Sequence, residues 1–308
     1  MNHCPTVSLD ELVYARVGGA DAVSFLQGQL SSDLRQLRSG RAQISSYNSP
    51  KGRMLAVLHL IADGEAVLLE LHRSIAEAVL KRLRMFVLRA KVTIEPAEVR
   101  ALGIVGTGAQ DALRALGLPV PAAPLDCAQD GDLRVLRRLG GAPRYSVLGT
   151  PARIDALAAR CPGAPRPSPA TPSALPFAAW RRADIEAGVP VVYAETSDHF
   201  IPQMANLDLL GGISFDKGCY TGQEIVARLH YLGQLKRRLF VCRVDGTAPA
   251  PGSAIVDGEA AVPAGEIVDA VDGDSTLASA VLQLAHAASH ALHLEDGRRL
   301  EVLSGPSR

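Results

Sequence analysis

The sequence predicts an α+β protein, and three observations carry that reading. Strand and helix patterns follow one another over residues 1–97 in the order of an α+β sheet domain. Six prolines in residues 162–176 mark an extended linker. Beyond Gly233, short strands alternate with glycine, proline and aspartate turns, as in a small antiparallel β-barrel. A chain of 308 residues has room for two or three domains, and 47% hydrophobic with 21% charged residues is ordinary for a globular protein.

In order along the chain, residues 21–37 read as a helix, with Phe25, Leu26, Leu30, Leu34 and Leu37 at helical spacing. Residues 41–47 and 54–61 read as strands around the turn Asn48-Ser49-Pro50-Lys51-Gly52, and 66–71 as a third strand after Asp63-Gly64. Residues 74–88 place Ile75, Val79, Leu83 and Phe86 on one helical face, and 91–95 form a short strand stopped by Pro96. This first α+β unit spans 1–97. A second, 98–161, contains a strand at 99–105, a helix at 110–116, a hairpin around Gly140-Gly141 and a helix at 153–160. Its glycines at 103, 106 and 108 are spaced GxxGxG rather than GxGxxG, and no acidic residue ends a following strand. They therefore read as a strand-to-helix turn, not a dinucleotide loop. After the linker 162–176, a helical segment covers 177–233 and the barrel 234–308, with strands at 239–244 and 266–271.

Thirty-two basic and thirty-two acidic residues cancel, which leaves no overall electrostatic footprint for nucleic acid; direct RNA binding is not expected. The clusters Lys81-Arg82-Leu83-Arg84 and Arg137-Arg138 read as solvated faces. Lys236-Arg237-Arg238 lies close enough to the motif below to meet an anionic ligand or partner. Five cysteines with no Cys-x-x-Cys pair argue against a disulfide framework, a structural zinc site and a self-contained iron–sulfur site. No metal is expected, and at most the chain lends one sulfur. The start of the chain lacks the pattern of a signal peptide, and the most apolar stretch, 54–71, is interrupted by Asp63, Gly64 and Glu65. The expectation is a soluble cytoplasmic protein with reduced thiols and no membrane partner.

Chemistry concentrates at Lys217-Gly218-Cys219-Tyr220-Thr221-Gly222-Gln223-Glu224. The following residues have helix-forming composition, with Ile225, Val226 and Leu229 on one face. Thr221 is placed to cap that helix, and Glu224 completes a capping-box pattern. A helix start and Lys217 both favour a thiolate at Cys219. An unpaired cysteine is more often a small buried hydrophobe, and that is the reading for Cys4 near the terminus, Cys127 in a polar loop, Cys161 beside the linker and Cys242 in strand core.

Upstream of this block stand Trp180-Arg181-Arg182-Ala183-Asp184-Ile185-Glu186-Ala187-Gly188-Val189-Pro190, then Phe200-Ile201-Pro202-Gln203-Met204-Ala205-Asn206-Leu207, then Gly211-Gly212-Ile213-Ser214-Phe215. With Phe25-Leu26-Gln27-Gly28-Gln29-Leu30 and Pro50-Lys51-Gly52-Arg53, these segments closely resemble the YgfZ family of folate-binding proteins, over most of residues 8–245. The resemblance implies a fold like that of the glycine cleavage aminomethyltransferase: two related α+β units enclosing a folate pocket, plus a C-terminal barrel. It also implies tetrahydrofolate or a related folate as ligand, and a role in assembly or repair of iron–sulfur clusters. Iron–sulfur enzymes such as the radical enzymes that thiolate tRNA, or their assembly proteins, are the implied partners.

By the same resemblance, Cys219 with Lys217 forms the reactive centre, and Trp180, Glu186, Gln203, Asn206, Tyr220, Gln223, Glu224 and Arg228 are candidates to bind the folate. Trp180 could offer a face for the pterin and Glu186 an acceptor for its N–H edge, although a core tryptophan and a solvated carboxylate are the plainer readings. Where family members can carry a second folate-contacting tryptophan, this chain has Leu9-Asp10-Glu11-Leu12. The alternative is a folate-dependent aminomethyl or one-carbon transferase, which needs an acid beside the folate. Residues 66–90 contain no Asn and no Asp, and Glu77 substitutes only if it faces the pocket.

Overall fold

The computed structural model describes residues 6–161 and 177–306. Cys4 and the proline-rich linker 162–176 lie outside the described residues. The protein is α+β: two five-stranded sheets with their helices, and a six-stranded antiparallel C-terminal sheet curled into a small barrel. By contacts the chain divides into two compact units. The first comprises Met1–Phe25, Leu34–Gln43 and His59–Ala183, the second Leu26–Asp33, Ile44–Leu58 and Asp184–Arg308.

The chain opens with strands β1 (Thr6–Ser8) and β2 (Leu12–Gly18), a short helix α1 (Ala22–Gln27), and strands β3 (Gln43–Asn48), β4 (Met54–Asp63) and β5 (Ala66–His72). Helix α2 (Arg73–Met85) and β6 (Thr93–Pro96) follow. In the first unit β5 pairs with the end of β4 and with β2, and β2 with β6, all antiparallel. Helix α2 buries Ile75, Val79 and Leu83, as its spacing predicts, but it ends at Met85, and Phe86, expected on the same face, is the exposed C-cap. The second sheet takes β1, then β7 (Arg100–Ile104), β10 (Tyr145–Gly149), β9 (Leu133–Arg137) and β8 (Cys127–Asp130) in that spatial order. Helices α3 (Ala109–Ala115) and α4 (Pro151–Arg160) pack on it around Ile104, Leu113, Val135, Tyr145 and Leu157. Gly106 and Gly108 form the turn from β7 into α3, whereas Gly103 lies within β7.

Three sequence readings change. The helix expected over 21–37 ends at Gln27, and only Leu34–Gln36 regains a helical turn. Leu30 bridges to Tyr47, and Ser31 donates its backbone N–H to Ser46 O and accepts at its O from Ser214 N–H, so tertiary pairing overrides helical spacing. β2, absent from the sequence reading, is the strand between β5 and β6. Cys127 lies in edge strand β8, not in a loop, and burial pushes its thiol up against the lowering influence of Arg134 and Arg138.

Both sheets of the first unit meet on one cluster of Val7, Leu9, Tyr14, Ile61, Leu68, Leu136 and Trp180. Within it lies an ion pair that is almost wholly buried, so Arg138, read from its cluster as part of a solvated face, is instead a core residue held by its partner Glu70. Arg138 donates to both carboxylate oxygens of Glu70 at 2.6 and 2.5 Å, and its Nε donates to Ser146 Oγ at 3.0 Å. Tyr14 donates its hydroxyl to Glu70 Oε2 at 2.7 Å, and His59 Nδ1 stands 3.2 Å from Oε1. Burial alone would raise the Glu70 carboxyl, but Arg138, supported by His59, outweighs it and holds the group well below the usual carboxylate range.

Helix α5 (Phe177–Glu186) carries Trp180 in the first unit and Glu186 in the second. After helix α6 (Gln223–Leu232), the barrel is built from β11 (Arg237–Val244), β12 (Ala254–Asp257), β13 (Val262–Val271), β14 (Thr276–Gln283), β15 (Leu292–Leu294) and β16 (Leu300–Ser304). Their order is β15-β12-β13-β14-β11-β16, and a bridge between His293 and Arg299 brings the two ends together. Cys242 is part of the barrel core with Ile255, Ile267 and Leu282, and burial pushes its thiol up to about 12. Among the described residues no helix is long and apolar enough to cross a membrane.

A buried pair that loses one partner leaves an uncompensated charge, so Arg138→Met should cost about 3–5 kcal/mol in urea unfolding at neutral pH. The folded Glu70 carboxyl titrates below its unfolded value of about 4.3. Its contribution is therefore complete above that value and lost as the pH falls below it. The penalty of the variant should shrink in acid. A penalty that stays constant down to about pH 3 would contradict this assignment.

Candidate functional site

The cysteine segment is organised by its lysine. Lys217 is 5% exposed, and its ammonium donates to the carbonyl oxygens of Leu30 and Ser32, both at 2.7 Å. The Tyr220 ring lies 5.1 Å from Nζ, a cation–π distance. A buried ammonium is tolerated only when its donors are satisfied. The break in the helix after Gln27 supplies those acceptors, because neither carbonyl is engaged in a continuing helical ladder. Serines brace the same strand. Ser31 Oγ donates to Gly212 O at 2.6 Å and accepts from the backbone N–H of Ser46 at 2.8 Å, while Ser214 N–H donates to Ser31 O.

The start of α6 differs from the predicted cap. Its N-cap is Gly222, at φ +80° and ψ 3°, with no side-chain capping bond, so Thr221 and Glu224 form no capping box. Close approach explains the glycine. A Cβ there would lie 2.5 Å from Ser49 O, and one on Gly52 would lie 2.8 Å from Ile225 Cβ. The turn Pro50-Lys51-Gly52-Arg53 and the cysteine segment are thus fitted backbone to backbone. Asp198 accepts from Ser49 Oγ at 2.6 Å and anchors that turn. Gln223 does the work expected of a cap residue: its Oε1 accepts from Tyr220 N–H at 3.3 Å and its Nε2 donates to Lys217 O at 3.4 Å. Cys219 is exposed at the apex of this closed loop, between buried Lys217 and buried Tyr220. Phe215 stacks on His230 of α6 with ring centroids 3.7 Å apart.

Gln203 and Asn206 tie the second unit together. Gln203 Nε2 donates to Val226 O at 2.7 Å, and Asn206, in the left-handed region at φ 59°, donates through Nδ2 to Leu239 O at 2.9 Å. Arg238, expected from its cluster to meet an anion, donates to both carboxylate oxygens of Asp208 and to Gln203 O. Asn206 also lines a cleft of about 340 Å³ with Glu186, Leu210, Leu239, Phe240 and Pro306. Glu186, Glu224 and Arg228 are exposed.

Trp180 belongs to the first unit and is 2% exposed. Its ring packs on Gly103, where a Cβ would come within 2.7 Å of a ring carbon, and the guanidinium carbons of Arg138 and Arg144 stand 5.4 and 4.9 Å from a ring centroid. Six residues separate Trp180 from Glu186 on one helix, about 240° around its axis, so the two side chains leave different faces. The acid that sequence reasoning missed is Glu70; the available signal was a single carboxylate inside the apolar strand Ala66–His72. Glu77 is exposed on α2. No group of three or more metal-ligating side chains occurs among the described residues.

No protein-family model matches the chain. It is 35% identical over 242 residues to the tRNA-modifying protein YgfZ of Sodalis glossinidius (strain morsitans), covering 78% of this chain and 72% of that protein. The YgfZ of Escherichia coli O17:K52:H18 is 34% identical over 236 residues, covering 76% and 70%. Among solved structures, the glycine cleavage system aminomethyltransferase T from Bartonella henselae matches with a TM-score of 0.78 at 19% identity, over 98% of this chain and 85% of that one.

The left-handed backbone and the contact with Ser49 make Gly222 the most exacting position of the loop. Gly222→Ala should destabilise the protein by at least about 1–2 kcal/mol from the backbone alone, with a further loss from the overlap. Thermal melting tests this, and a melting temperature equal to that of the parent would show that the loop is not held by this contact.

Proposed function

Because this chain belongs to the YgfZ family of tRNA-modifying proteins, we propose that it is a cytoplasmic folate-binding accessory protein for assembly or repair of iron–sulfur clusters, with Cys219 as its functional thiol. The clients would be enzymes such as those that thiolate tRNA. The observation that carries this reading is an exposed thiol on a loop whose other members are fixed: Lys217 by two carbonyls, Gln223 by two backbone bonds, Gly222 by Ser49. A structural cysteine has no need of exposure, whereas a thiol that meets a sulfur, iron or cluster edge on a partner does. One such sulfur completes a site only together with ligands from the partner.

Tetrahydrofolate is compatible with the cleft beside Glu186, which offers a carboxylate acceptor, the Asn206 amide and apolar walls at Leu239 and Phe240. When bound, it would supply a reduced pterin nitrogen able to carry a one-carbon unit. Glu186 would accept from the amino and N–H edge of the pterin, and Leu239 and Phe240 would exclude water from its faces. Trp180 supports the fold beneath Arg138 and Arg144 in the other unit. The alternative, an aminomethyl or one-carbon transferase, draws on the likeness to aminomethyltransferase T. Against it, Glu77 is exposed and Glu70 has its carboxylate oxygens occupied by Arg138 and Tyr14.

Two measurements test the proposal. In calorimetry with tetrahydrofolate, Glu186→Gln should weaken binding by about tenfold or more, the usual effect of neutralising a charged hydrogen-bond partner; equal affinities would remove Glu186 from the site. In cells lacking the protein, Cys219→Ala should fail to restore iron–sulfur enzyme activities while accumulating normally and binding folate like the parent. Full restoration by the variant would refute the role of the thiol. Turnover of an aminomethylated lipoyl carrier at transferase rates would establish the alternative.

A further inference from the structure

We propose that the first compact unit carries a second ligand site, a cleft of about 270 Å³ that takes a phosphate group between Arg38, Arg41 and Arg134. Its mouth is the hairpin turn at Ser39-Gly40, and its wall includes Cys127 of β8 and Ile61 of β4. The turn is held rigidly. Arg41 N–H donates to Arg38 O, Ala42 N–H to Leu125 O at 2.8 Å and Cys127 N–H to Gly40 O at 2.8 Å, with Gly40 at φ +88°. The two arginines that leave this turn are therefore placed by backbone geometry, and Arg134 faces them from β9.

Charge decides the ligand class. Arg41 pairs with Asp126 at 3.0 Å, while Asp63 serves Arg16 and Arg134 together. Arg38 has no carboxylate partner among the described residues. The three guanidiniums that line the cleft thus meet two carboxylates, one of them shared with Arg16 outside it, which leaves positive charge in excess at a cleft larger than a phosphate ion. Three guanidiniums, two from the turn and one from the facing strand β9, with the Ser39 hydroxyl beside them, suit a tetrahedral oxyanion with several acceptor oxygens better than a planar carboxylate. The site is independent of the Cys219 loop and of the folate reading, since none of its residues belongs to either.

Cys127 makes the cleft measurable. Alkylation of the full-length protein at about pH 9, near the ordinary thiol range, followed by peptide mass spectrometry, reports Cys127 and Cys219 in the same sample. Inorganic phosphate should slow modification of Cys127 saturably and leave Cys219 unaffected, whereas chloride at matched ionic strength and acetate should do neither. Arg38→Ala, in an exposed turn, should raise the half-protecting phosphate concentration by roughly five- to tenfold, the effect of losing one charged donor, with an unchanged melting temperature. Adenosine 5′-monophosphate and a short oligoribonucleotide, run in parallel, identify the source of the phosphate: stronger protection by the first marks a free nucleotide, by the second an RNA backbone. Absence of protection by all three, equal protection by chloride or acetate, or indifference to Arg38→Ala would overturn the proposal.

Discussion

A buried ammonium sets the architecture around the cysteine. Lys217 delivers its charge to Leu30 O and Ser32 O, and the low dielectric of that position makes both bonds obligatory. Everything nearby follows from meeting that demand. The chain between Gln27 and Leu34 cannot be a helix, because its carbonyls must turn toward Lys217. Ser31 and Ser46 then supply the polar contacts that such an irregular buried segment needs. With Lys217 drawn inward and Tyr220 packed beneath its charge, Gly218 and Cys219 are left at the surface.

This arrangement alters the account of the thiol. Sequence spacing made Lys217 a neighbouring charge for a thiolate, and in the fold that ammonium is held by two backbone carbonyls, which fixes the start of the segment that carries Cys219. A fixed, exposed thiol is the feature a transfer or hand-over step requires, because the partner must reach the sulfur without the loop reorganising. Rigid support and exposure are supplied by different residues, Gln223 and Gly222 for the first and Gly218 beside the apex for the second.

The first compact unit solves the same problem with a different pair. Glu70 and Arg138 are each at most 3% exposed, and the pair bridges the strand Ala66–His72 to the end of Leu133–Arg137 beside Trp180. Hydrophobic residues of equal size could fill that volume; a bidentate ion pair additionally joins the two sheets through two directional hydrogen bonds. Trp180 is the lid of this network, with its ring against Gly103 and under two guanidiniums.

The sequence by itself determined the α+β class, the barrel, most helices and strands, and the family, because hydrophobic period and turn chemistry are local properties read over a few residues. Helix α2 and the strands from Met54 to His72 were legible for that reason. It also marked the Lys217–Glu224 block as the place where chemistry concentrates. Only tertiary structure decided what each member of that block does. The helical spacing of Leu26, Leu30 and Leu34 is real, yet pairing of Leu30 with Tyr47 and the demand of Lys217 for carbonyls outweigh a propensity of a few tenths of a kcal/mol per residue. Thr221 and Glu224 fit a capping box, but the approach of Ser49 reserves the cap for a residue without a Cβ. The roles of Glu70, Arg138 and the arginines around Cys127 were not legible in sequence because their partners lie tens of residues away. Long-range contacts of this kind are encoded only in the folded chain, where burial makes each unpaired charge costly and so selects its partner.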